Sequence, residues 1–142
     1  MTLREVLHAH IPVLYPESTV RDAVDKMDIY QFPALVVVDE NQAPIAVLTE
    51  GDLVRAVAHR DSLVSMADEP ALAYATKDPF TLSPDTEIAE AFHKMRASGL
   101  TLLPIVEDER LSGVVLRVDL MQALLLDVSK PSKGSDGSDG SD

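Results

Sequence analysis

A repeated pattern constrains this chain more than any other feature. At an offset of 68 residues Leu14, Pro16, Ala23, Lys26, Met27, Leu35 and Val38 fall on Leu82, Pro84, Ala91, Lys94, Met95, Leu103 and Val106. One residue is then lost from a turn, and Val47, Asp52, Leu53 and Ala56 fall on Val114, Asp119, Leu120 and Ala123. A register kept through helices, strands and turns marks a duplicated supersecondary unit, so function is to be sought where the copies meet. A copy of about 60 residues cannot cover both faces of a small sheet with its own two helices. The copies are therefore expected to pack on each other about a pseudo-twofold axis.

Within each copy the periodicity changes along the chain. Val20, Ala23, Val24 and Met27 make one helical face behind a cap at Ser18 or Thr19, and Ile88, Ala91, Phe92 and Met95 repeat it after Thr86. Unbroken apolar runs at 34–38 and 102–106 predict buried strands, each ending in a polar turn at 39–42 or 107–110. Second runs at 45–48 and 113–116 follow, and then a helix beginning near Asp52 or Asp119. With a short strand near Val13 or Thr81 in front, each copy is strand, helix, strand, strand, helix, an α/β (α+β) fold.

Composition excludes several functions. The 142 residues suit one compact body, and 46% apolar residues suffice for its core. A net charge of −12 without a basic cluster opposes nucleic acid and anionic membrane surfaces, and 4% aromatic residues leave few platforms for stacking bases. The chain has no Cys, hence no thiolate nucleophile, disulfide or zinc knuckle. Its first residues are interrupted by Arg4, Glu5, two histidines and Pro12, unlike a signal peptide or membrane span. A cytoplasmic protein without cofactor or catalytic activity is expected, since no phosphate loop, Gly-x-Ser-x-Gly, His-Glu-x-x-His or dinucleotide fingerprint occurs.

Two such units, with Leu35-Val36-Val37-Val38-Asp39-Glu40 before a turn and Thr49-Glu50-Gly51-Asp52 opening the last helix, resemble the tandem CBS domain family, or Bateman module. The resemblance spans residues 3–127, with the first motif at 1–60, a connecting segment at 61–77 and the second motif at 78–128. It implies two units packed sheet to sheet, clefts between them, and a regulatory module that senses AMP, ADP, ATP or S-adenosylmethionine, commonly as a homodimer acting on an effector protein. It also implies roles: the acid of Thr-x-x-Asp accepts from ribose hydroxyls, and backbone of the linker and buried strand contacts adenine. A carboxylate suits a cis-diol, and each charge-assisted hydrogen bond contributes roughly 1.5–3 kcal/mol.

Carried onto this sequence, the resemblance assigns Thr49 and Asp52 to one cleft, with Pro33, Ala34, Ala75, Thr76 and Phe80 lining it. The opposite cleft has Asp119 without the hydroxyl, because Leu116 stands in its place, and would use Leu7, Pro12, Thr101 and Leu102. The His, Arg or Lys that relatives place before the buried strand is replaced by Pro33-Ala34 and Thr101-Leu102, so a ligand of little negative charge competes with ATP. Arg21, Arg55, Arg96 and Arg117 are candidate replacements, and Ala46, opposite Gly113 in the repeat, is expected to narrow the first cleft.

Plainer roles exist for the same residues. Thr49-x-x-Asp52 is also a capping box, which stabilises a helix by roughly 0.5–2 kcal/mol without any ligand, and Asp119 alone is a helix cap. With clefts closed by Leu116, Phe80 and Leu102, the chain would be a structural dimerisation module. His8 and His10 lack a third metal ligand nearby and are expected at the surface or core edge, as solvated His59 and His93 are. Met27 and Met95 fill core gaps, and Asp39-Glu40-Asn41 lacks a calcium loop's ligand count. The segment 129–142, with Gly-Ser-Asp repeated, is expected to be a disordered tag or linker.

Overall fold

The computed structural model describes residues 1–129, the side chains of 127–129 excepted. Of the expected tail only Ser129 falls within them, as the last residue of a helix; the remainder lies outside the described residues. The elements are β1 (Val13–Leu14), α1 (Val20–Tyr30), β2 (Ala34–Val38), β3 (Pro44–Thr49), α2 (Glu50–Val57), α3 (Leu63–Met66), β4 (Thr76–Lys77), α4 (Ile88–Ser98), β5 (Leu102–Glu107), β6 (Arg110–Leu116) and α5 (Arg117–Ser129). Short 3-10 turns lie at Leu3–Glu5 and Ala71–Tyr74. Among the described residues no helix is long and apolar enough to cross a membrane.

The duplicated pattern folds into two matching units. In the first, strands run β1-β2-β3-β4, with β1 parallel to β2 and the other pairs antiparallel. In the second, β5 and β6 pair antiparallel, and the outer strands shrink to single bridges at Leu82–Ile105 and His8–Val114. Alternation explains why the central strands are apolar throughout. Leu35 and Val37 face α1 and α2, whereas Ala34, Val36 and Val38 meet Leu102 and Val114 of the other sheet in a shared core. Leu103, Ile105 and Val115 face α4 and α5. The layers are therefore helix, sheet, sheet, helix, the expected packing of sheet on sheet.

Local chemistry sets the helix ends. Thr19 caps α1 through a reciprocal box with Asp22, while α4 starts at Glu87 with no side-chain cap, so Thr86 does not play the part expected of it. Both helices stop in the left-handed region, α1 at Gln31 (φ 60°) and α4 at Gly99 (φ 74°), matching positions in the two copies. Glycine takes that conformation without a Cβ clash.

Chain segments cross between the units. Leu3 is buried in the second unit's core, where Leu3 N and Arg4 N donate to Thr86 and Pro84 carbonyls, and Arg4 bridges Asp85 and Glu107. The connecting segment packs back on the first unit: Met66 and Ala71 join its core, and Val20 N donates to Glu69 O. Arg60 and Tyr74 both hydrogen-bond the Glu69 carboxylate, tying the end of α2 to this segment.

That clamp predicts an acid dependence. Hydrogen bonds from Arg60, then Tyr74, lower the Glu69 carboxyl from 4.5 to about 2. A depressed folded-state value contributes stability that is present above the unfolded value and is lost as pH falls toward 2. Glu69→Gln is expected to flatten the unfolding midpoint between pH 4.5 and 2, followed by circular dichroism. An unchanged acid profile would show that the clamp contributes nothing to folding.

Candidate functional site

The end of β3 is where the duplicated fold leaves space. Ala34 pairs with Thr49, so Pro33 stands beside the start of α2, and Glu50 N donates to Pro33 O at 3.0 Å. On the other edge Val47 pairs with Thr76, which brings the connecting segment alongside. The start of β5, from the facing sheet, closes the third side. The result is a cleft of about 420 Å³ whose walls include Pro33, Thr49, Asp52, Thr76, Phe80 and Leu102.

Thr49 and Asp52 form the reciprocal cap: Asp52 N donates to Thr49 Oγ1 at 3.0 Å, and Thr49 N donates to Asp52 Oδ2 at 2.9 Å. Arg55 donates to Asp52 Oδ1 at 2.6 Å. The Asp52 side chain is 10% exposed, yet each oxygen has accepted one hydrogen bond and can accept another. Capping therefore orients the carboxylate at the cleft without exhausting it. Glu50 and Asp78 add two more acids to the wall, against one arginine, Arg55, among the described residues. Phe80 is exposed at the rim, with Lys94 Nζ 5.9 Å from its ring centre.

The remaining expected residues lie elsewhere or on the other side. Thr101 and Leu102, expected with Asp119, line the Asp52 cleft, because the facing sheet places the start of β5 over the end of β3. Ala34 is buried in the core between the sheets, and Ala75 packs against the first unit's core. The Ala46 methyl also belongs to that core, so it does not narrow the cleft as expected. Arg55 reaches the cleft, whereas Arg21 faces Asp68 and Arg96 lies beside His93. Arg117 is an exposed residue opening α5.

On the opposite side Asp119 Oδ2 accepts both from Leu116 N at 2.7 Å and from His8 Nε2 at 2.8 Å. Leu7 packs against the second unit's core, and Pro12 lines a gap with no room for a water molecule. The sequence reading missed both Arg55 as an Asp52 partner and His8 as an Asp119 partner. The signal for His8 was present, since an offset of 68 carries it onto Thr76. Among the described residues no group of three or more His, Asp or Glu side chains is arranged to hold a metal ion.

Known proteins resemble the chain along most of its length. A 17.7 kDa protein of Acidianus ambivalens is 32% identical over 122 residues, 85% of this chain and 71% of that one. The A-adding tRNA nucleotidyltransferase of Aquifex aeolicus is 27% identical over 130 residues, 92% of this chain but 15% of the enzyme. Among solved structures, CBSX2 in complex with AMP superposes with a TM-score of 0.77 at 22% identity, covering 89% of this chain and 97% of that one, a likeness of fold. The CBS domain matches residues 3–59 and again 71–126. With two matched repeats and two sheets packed about one shared core, the chain belongs to the CBS domain family as a tandem pair.

Proposed function

We propose that this CBS pair is a regulatory module whose Asp52 cleft binds an adenosine-containing small molecule. The observation that carries the reading is the convergence of Asp52, Thr49, Thr76, Phe80 and Thr101 on one open cleft between the repeats. Asp52 would accept from the ribose hydroxyls, and Phe80 offers an apolar face to the base. CBSX2, similar in fold, is a complex with AMP, which supports the ligand class. Three acids against one arginine disfavour a polyphosphate, so adenosine or S-adenosylmethionine suits the wall better than ATP. A purely structural module would have both clefts closed, and the Asp52 side is open.

A thermal-shift panel of adenosine, AMP, ADP, ATP and S-adenosylmethionine tests this. A native-state ligand at 100 times its Kd stabilises by about 2.7 kcal/mol, a rise of roughly 5–10 °C for a domain of this size. No rise with any member would overturn the reading.

The same proposal extends to a homodimer. Val118, Met121 and Leu125 are exposed at helical spacing on α5, and Val54, which matches Met121 in the repeat, is exposed on α2. Such a stripe is stable in water when another apolar surface covers it. Met121→Glu is expected to convert a dimer to a monomer in light scattering, with the far-ultraviolet circular dichroism unchanged. A wild-type chain already monomeric at micromolar concentration would reject the dimer.

A further inference from the structure

The pseudo-twofold axis should produce two equivalent clefts, yet the two acids have different neighbours. Asp52 and Asp119 are counterparts, and so are Thr76 and His8. Both of the latter lie on the edge beside the strand that leads into the acid's helix, Thr76 opposite Val47 and His8 opposite Val114. The backbone is thus the same and the side chain is not. Threonine leaves the Asp52 cleft open. Histidine reaches Asp119 Oδ2 at 2.8 Å, the oxygen that also accepts from Leu116 N, and so stands against the acid where the first copy has open space.

Two further features hold the imidazole there. Its ring meets Phe32 edge to face, with centres 5.8 Å apart, and Phe32 replaces the smaller Leu100 of the other copy. The His8 main chain is fixed by two bonds, N to Val114 O at 2.8 Å and Val114 N to His8 O at 3.1 Å. The gap lined by Phe32, Ala34, Ile11 and Pro12 has no room for a water molecule. The Asp119 side chain is 17% exposed and His8 42%, so the pair stands at a cleft mouth rather than deep in the core.

We propose that His8 is a built-in occupant of the second cleft, bonding Asp119 where a ligand hydroxyl would, and that it limits the chain to one ligand molecule. The ligand count rests on the adenosine reading; the occupancy does not. A carboxylate accepts and cannot donate, so a histidine N–H can stand in for one ribose hydroxyl at Asp119 Oδ2. Leu116 in place of Thr49 leaves the second site without the hydroxyl of the first, which agrees with a site given over to an internal partner.

Two measurements test this. In the absence of ligand, thermal unfolding of His8→Thr, Asp119→Asn and the double variant forms a cycle. The double variant is expected to melt no lower than the less stable single variant. Additive losses would show that the two side chains are not partners and overturn the occupancy. Calorimetric titration with adenosine, AMP and S-adenosylmethionine then counts sites. One site per wild-type chain and two in His8→Thr, or in His8→Ala should threonine fold poorly, are expected. Two sites in the wild type, or one in both variants, overturn the limit. Thr76→His, which places the same ring against Asp52, is expected to abolish binding to the first cleft. If no probe binds the wild type, the adenosine reading fails, and the cycle alone decides whether His8 occupies the site.

Discussion

Replacing Asp52 by alanine is expected to weaken binding of the adenosine-type ligand by about 100-fold or more, since two charge-assisted hydrogen bonds of roughly 1.5–3 kcal/mol each are lost. The loss should appear in calorimetric titration as a raised Kd with the stoichiometry unchanged. Asp52 also caps α2, so the unliganded protein should become less stable by about 0.5–2 kcal/mol. The Arg55 ion pair adds little to that, because the arginine side chain is 73% exposed and solvent screens it. Asp52→Asn separates the roles: the amide oxygen can still cap, but the charge is gone. An affinity that survives both substitutions would remove Asp52 from the site.

Gly113→Ala should destabilise the fold by about 1–3 kcal/mol, and Gly113→Val by more, the range expected when a packed site is overfilled. A Cβ at this position would stand 2.5 Å from His8 O and 2.7 Å from Leu7 Cδ1. The main chain of His8 cannot retreat without breaking its two bonds to Val114. The repeat supplies an internal control, because Ala46 occupies the matching place in the first unit and its methyl is fully buried there. Urea unfolding of Gly113→Ala beside wild type measures the cost. A neutral substitution would mean that the N-terminal segment is not held against β6 as described.

These two residues also mark what the sequence made legible. The fold followed from the repeat and from the apolar runs at 34–38 and 102–106, because only strands buried on both faces lack alternation. Thr49 and Asp52 were legible because a local capping motif and the family motif coincide on them. Which side Thr101 and Leu102 would serve was not, since strand periodicity assigns a face but not the hand with which one sheet lies over the other. The crossing of Leu3 into the second unit was hidden for a related reason. It depends on edge bridges at Thr2–Glu87 and His8–Val114, single pairs too short to leave a periodic signature. His8 does lie at the surface, as expected, but its contact with Asp119 is visible in the sequence only through the offset that pairs it with Thr76.

The most direct measurement is an amide chemical-shift titration of the isotopically labelled chain with adenosine and with S-adenosylmethionine. Saturable shifts are expected to concentrate on residues 49–52, 76–80 and 99–102, three segments in the wall of the Asp52 cleft, with the amides around Asp119 little changed. No saturable shift with either compound, or shifts centred on the outer faces of α1 and α4, would contradict binding there.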